Sequence, residues 1–183
     1  MRRIAPLLLG ITLLGACTET TTIGTMGAPQ AQSSAIKAPA TEHKDLATLH
    51  GATARFHRYD VAKAAGYTFL FMDMCMVDQS PNQLGGMGYH YVNTNLLDDR
   101  LDVATPEALL YEPEANGRLR LVAVEYVIPK SAWTSPNPPV LFGRQLELNS
   151  FDLWALHVWA WENNPSGLYA SWNPRVSCEH AAP

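Results

Sequence analysis

The chain has 183 residues, 47% of them apolar and 16% charged, with a formal net charge of −4. That composition excludes a disordered polyelectrolyte, and the lack of any basic cluster argues against a nucleic-acid partner. Three cysteines are too few for a small disulfide-dense scaffold.

Met1-Arg2-Arg3 is a short positive start, followed by an apolar run from Ile4 to Leu14. The run is shorter than the roughly 20 residues a membrane-spanning helix needs, but it has the size of a secretory signal core. It closes in "LLGAC", and this resembles a bacterial lipobox, in which the cysteine is lipidated and becomes the mature N-terminus. The expected organisation is a lipoprotein signal peptide over 1–16, a lipid-anchored tether over 17–42 and a single globular domain over 43–183. An ordinary signal peptide cut elsewhere is the alternative. Lipidated Cys17 would make the bilayer a partner and place the protein in the cell envelope, facing the periplasm from the outer membrane in a Gram-negative host, or outside the cell. Thr18, where an inner-membrane retention signal would have Asp, favours the outer membrane. Loss of Arg2 and Arg3 with the signal takes the net charge from −4 to −6. The tether is rich in Thr, Ala, Ser, Gln, Gly and Pro and lacks the bulky apolar residues that would let it order itself.

Cys75 and Cys178 remain. In an exported protein they are expected to form a disulfide, with a thiolate metal site as the competing reading; no CxxC pair supports the latter. "DLATLHGATARFHRYDVAKAAGY" (45–67) is the helix candidate, with Leu46, Leu49, Ala52, Phe56 and Tyr59 near helical spacing. Gly51 is the expected weak point, and Gly66 the expected C-terminal cap.

After Tyr67 the pattern changes to strands. "YTFLFMDM", "GYHYVN", "EALLYEP", "RLRLVAVEYVI", "FDLWALHVWAW" and "GLYASW" are short and aromatic or β-branched. Asn116-Gly117 marks a hairpin between the third and fourth, and "ENNPSG" marks a turn. The Pro-rich "TSPNPPVLFG" argues against a central strand there. One helix ahead of five to six mostly antiparallel strands predicts an α+β fold, with the helix packed on a curved sheet; a small closed β-barrel is the alternative.

Side chains alternate along a strand, so Leu119, Leu121, Ala123, Glu125 and Val127 should share one face. Leu153, Ala155, His157, Trp159 and Trp161 should share another. In "GGMGYHYVN", His90 groups with Gly88 and Val92, opposite Met87, Tyr89 and Tyr91. His90, Glu125 and His157 are thus polar groups set mid-strand in apolar segments, where burial is costly without a partner. Should the three faces align, two imidazoles and a carboxylate would converge. That set suits zinc or non-haem iron, a metal-free acid/base pair or a small-molecule ligand. The alternative is a structural role, with satisfied core histidines and Glu125 paired to Arg118, Arg120 or Arg175 in a non-catalytic envelope protein. A third reading takes Met72, Met74 and Met76 as one thioether row for Cu(I). The five tryptophans suit core and rim packing or an apolar pocket. Neither GxSxG nor HExxH occurs, and the glycine loop lacks the Lys-Ser/Thr ending of a phosphate loop. The sequence leaves open whether the chain is an enzyme.

The strings "GGMGYHYVN", "PEALLYEP", "RLRLVAVEYVIP" and "WALHVWAWENNPSGLYASWNPRVSC" resemble a family of small exported bacterial proteins, over roughly 55–178. The resemblance implies export and carries no activity with it. "LYEPEANGRLRLVAVEY" is also similar to a stretch of plant oil-body-associated proteins, without their further histidine pattern.

Overall fold

In the computed structural model, residues 40–181 are described. The expected signal peptide, Cys17 and all but the last three residues of the expected tether lie outside them. Helix α1 (Ala40–Thr53) begins three residues before the expected domain boundary. Its Glu42 is buried and accepts a hydrogen bond from the Tyr169 hydroxyl at 2.6 Å. A 3-10 turn (Ala54–His57) and the short α2 (Tyr59–Ala64) follow. The helical segment therefore breaks, but not at Gly51. The break lies where the Tyr111 hydroxyl donates to the Phe56 carbonyl at 2.6 Å, with Arg58 extended just beyond. Gly66 ends α2 as expected. At φ +101° it lets its own N–H reach the Lys63 carbonyl and that of Tyr67 the Ala62 carbonyl, a Schellman motif.

Eight strands follow: β1 (Phe69–Val77), β2 (Gly86–Val92), β3 (Ala108–Pro113), β4 (Leu119–Pro129), β5 (Val140–Leu141), β6 (Arg144–Gln145), β7 (Glu147–Leu148) and β8 (Leu153–Val158). Six form one antiparallel sheet in the order β1-β2-β3-β4-β8-β7, and β5 and β6 pair separately. The sheet curls into a half-barrel and stays open, so the fold is the expected α+β with a curved sheet, not the closed barrel. The Asn116-Gly117 hairpin forms between β3 and β4, with Gly117 at φ +75°. "GLYASW" forms turns instead of a strand, and β8 stops at Val158. The Pro-rich loop leads into the small β5–β6 ribbon. Among the described residues, no helix is long and apolar enough to cross a membrane.

The helices cover one sheet face. Leu49, Phe56, Ala62 and Tyr67 pack there with Leu109, Tyr111, Leu121, Val124 and Tyr126. The other face holds a smaller cluster built on Ala108, Leu110, Val122, Ala123, Trp159 and Val176. Leu119 and Leu121 therefore face the helices, away from Ala123 and Glu125. The cause is a bulge. Leu110 pairs with Ala123 but Tyr111 pairs with Leu121, which leaves Val122 as the extra residue. The freed Val122 carbonyl accepts from the N–H groups of Trp161 and Glu162 as the chain leaves β8.

Cys75 and Cys178 form the expected disulfide across a sequence separation of 103, tying the C-terminal segment to β1. Loop-closure entropy puts its contribution at up to about 4.7 kcal/mol. Neither thiol should react with an alkylating reagent in the native protein until a reductant is added, and reduction should lower stability by a few kcal/mol. Labelling of both cysteines in the untreated native protein would contradict this.

Besides Glu42, a second buried acid lies outside the expected residues. Glu107, 2% exposed, stands just ahead of β3 and accepts the Val127 N–H at 2.9 Å, beyond the last β3–β4 pair. Burial pushes its pKa up to about 8, although the Val127 bond opposes the shift. An unfolded glutamate releases its proton near 4.5. Between these values the folded chain holds a proton that the unfolded chain has lost, so stability falls as pH rises from about 4.5 to about 8. Glu107→Gln keeps the acceptor and removes the titration. It should gain on the order of 2–4 kcal/mol relative to wild type across that window, read from denaturant midpoints at several pH values. A gap independent of pH would contradict it.

Candidate metal centre

His90, Glu125 and His157 arrive from β2, β4 and β8. Glu125 and His157 are direct cross-strand partners. His90 is further off, with β3 between its strand and β4. Two strand spacings amount to about 9.6 Å on a flat sheet. The curl and the small Ala108, fully buried between Val92 and Glu125 in the register, let the imidazole reach across. His90 Nε2 lies 3.4 Å from His157 Nε2 and 3.8 Å from Glu125 Oε2. His157 Nε2 lies 3.5 Å from Glu125 Oε1. With one donor atom taken from each residue, all three lie within 4.8 Å of one another.

The three side chains are buried, with residue exposures of 3%, 9% and 9%. Burial lowers the pKa of both imidazoles to about 4. It raises that of Glu125, against the pull of His90. Both rings are thus neutral at neutral pH, with a lone pair to offer. Among the described residues, Glu125 has ion-pair partners only in these two histidines. Arg120 is taken by Glu112 and Glu162 and Arg118 by Glu114, and Arg175 makes no ion pair with Glu125, so the expected alternative of an Arg118, Arg120 or Arg175 partner does not arise. Among the described residues, buried His90 Nδ1 has no hydrogen-bond partner. The Gly88 backbone is close enough to favour a proton on the ring but does not meet hydrogen-bond geometry.

The local strand chemistry explains the placement. Gly88 has φ +89°. Met76 pairs with Gly88 and Val77 with Gly86, so Met87 is an extra residue in β2. Simple alternation put Met87 opposite His90; with the bulge, both line one cavity. Trp159 stacks beside His157, with the planes 13° apart, and its indole N–H donates to the Ala170 carbonyl at 2.6 Å.

The three groups form part of the wall of a cavity of about 360 Å³. Most of the remaining wall is apolar, including Phe69, Phe71, Met76, Leu97, Val127 and Trp172. A second, more polar cavity approaches His157 from the side of Arg144 and Tyr169. The methionine row is not one continuous face. Met72 and Asp73 are left-handed, with φ +62° and +50°, and the β1–β2 register slips between Leu70 and Cys75. Met76 lines the apolar cavity, while Met72 and Met74 are exposed and outside its wall.

Of the tryptophans, Trp172 lines the cavity and Trp159 is core. Trp154 and Trp161 pack on the helix-side core, and Trp133 donates to the Asn137 carbonyl.

Comparison with known proteins returns no matching family model, no matching curated protein and no matching solved structure. The functional reading therefore rests on the geometry of this chain.

Proposed function

We propose that this protein is an exported, lipid-anchored metal-binding protein whose ion is held by His90, Glu125 and His157. The observation that carries the reading is the convergence of two imidazole Nε2 atoms and a carboxylate in a buried pocket. In the tautomers that leave both Nε2 atoms unprotonated, the two neutral rings and the carboxylate form a cluster of acceptors, which a cation satisfies better than any one shared proton. Zinc is the preferred ion. Donors about 2.1 Å from a tetrahedral ion stand about 3.4 Å apart, against about 3.0 Å for octahedral neighbours. The 3.4 Å between the two imidazole Nε2 atoms fits the tetrahedral edge, and the carboxylate stands within reach of both, through Oε2 toward His90 and Oε1 toward His157. Three protein donors would leave zinc a fourth position, as in catalytic zinc sites, where a bound water becomes acidic. Non-haem iron is the second choice, on the donor set alone.

Elemental analysis of protein purified without added metal tests the reading. Zinc near one atom per chain is the expected result. Copper in its place, or no metal after incubation with stoichiometric zinc, would overturn it.

The lipid anchor is supported by the sequence around Cys17. Cys17→Ser should move the protein from the membrane fraction to the soluble fraction without changing the melting temperature of the domain. Full retention in the membrane fraction would contradict the anchor.

A further inference from the structure

The cavity beside the three donors has a chemistry of its own. At about 360 Å³ it falls near the lower end of the roughly 300–1,000 Å³ typical of small-molecule sites. Among the described residues, its titratable wall residues are His90, Glu125, His157 and Glu147, and no lysine or arginine lines it. The Arg144 guanidinium lines the neighbouring cavity and sits 4.4 Å from the centroid of the Tyr169 ring. Around the cavity, large apolar side chains are left in water, with Phe69 52% and Phe151 45% exposed. Phe71 on β1 and Phe151 ahead of β8 come from opposite ends of the strand order. Their rings meet edge to face, 5.1 Å between centroids. The two aromatics thus join the ends of the open sheet beside the cavity they both line.

We infer that this chamber binds a small neutral molecule that is mostly apolar, and that Phe71 and Phe151 flank its entrance. The apolar wall supplies the affinity by removing hydrocarbon from water. The charge pattern supplies the selectivity. A carboxylate or phosphate in the chamber would lose its hydration without meeting a cationic side chain, and it would face Glu125 and Glu147. In the metal-free chamber, fatty-acid anions and phosphorylated compounds are therefore disfavoured, while alcohols, esters and aromatic compounds of similar size fit. The inference shares a wall with the proposed metal site but does not require the ion.

The test uses the full chain carrying Cys17→Ser, so that no detergent competes, after removal of metal by a chelator. N-phenylnaphthylamine, a neutral dye that fluoresces in apolar surroundings, is titrated in at neutral pH. Saturable binding of one dye per chain is expected, with displacement by octanol and displacement by octanoate weaker by about tenfold or more. Ala155→Phe, which places a ring in the chamber, should weaken dye binding about tenfold or more. Phe71→Ser serves the same purpose if the first variant does not fold, and should weaken binding by at least about threefold. Absence of saturable binding, equal displacement by octanoate, or unchanged binding in a folded variant would each overturn the inference. Because metal has been removed, these failures are distinct from a failure to take up zinc, which would count against the metal reading alone.

Discussion

His157→Ala is expected to abolish stoichiometric zinc uptake while leaving a folded domain. The ring supplies one of three donors, and its Nε2 stands 3.4 Å and 3.5 Å from the other two. Loss even of a residue that only supports a metal ligand typically costs 10–100-fold in affinity, so loss of a ligand should cost more than about 100-fold. The fold should persist because Trp159, Val158 and Leu156 keep β8 packed on both faces. Glu125 would lose a partner, but burial already raises its pKa and so favours its neutral form. His43→Ala, on the exposed side of α1, is the control and should bind zinc as wild type does. Isothermal titration with zinc checks both. Equal affinity in the two variants would remove His157 from the site.

Gly88→Ala is expected to be among the most damaging single substitutions in the domain. At φ +89° any side chain is strained. A Cβ here would collide with the Tyr111 carbonyl oxygen and lie 2.9 Å from its carbon, both of them backbone atoms of the adjacent β3. Relief requires the β2–β3 pairing to shift, and His90 lies two residues along the displaced strand. The left-handed strain alone costs about 1–2 kcal/mol, and displaced packing should bring the total to at least about 3 kcal/mol. That corresponds to a melting temperature lower by on the order of 10 °C, together with weakened zinc binding. Gly51→Ala is the contrasting case. Nothing lies within 4 Å of its added Cβ in α1, and alanine should stabilise the helix by up to about 1 kcal/mol. If the two substitutions had similar effects on thermal melting, the close-approach account of Gly88 would fail.

These two residues also show how far the sequence could be read. Alternation was enough to place Glu125 and His157 on one face, because β4 and β8 are regular where they pair. It failed wherever the backbone departs from a pleat. Val122 bulges out and turns Leu119 and Leu121 toward the helices. Gly88 brings Met87 to the side of His90. Left-handed Met72 and Asp73 dissolve the methionine row. Glycine at 88 was a visible warning of close approach, but a left-handed methionine and aspartate carry no such mark. Glu107 opens the "EALLYEP" segment, but nothing local marks its burial, because its role depends on an N–H supplied by β4. The convergence of His90 with the other two depends on sheet curl and on the small Ala108 between β2 and β4, features of long-range pairing that no local spacing encodes.

The most direct measurement is anomalous scattering from a crystal of zinc-incubated protein, recorded on either side of the zinc absorption edge. The account predicts one strong zinc peak about 2.0–2.2 Å from Nε2 of His90, Nε2 of His157 and a carboxylate oxygen of Glu125, with a further position open to the cavity. A peak elsewhere, or an ordered His90–Glu125–His157 cluster with no anomalous density among its three donor atoms, would contradict it.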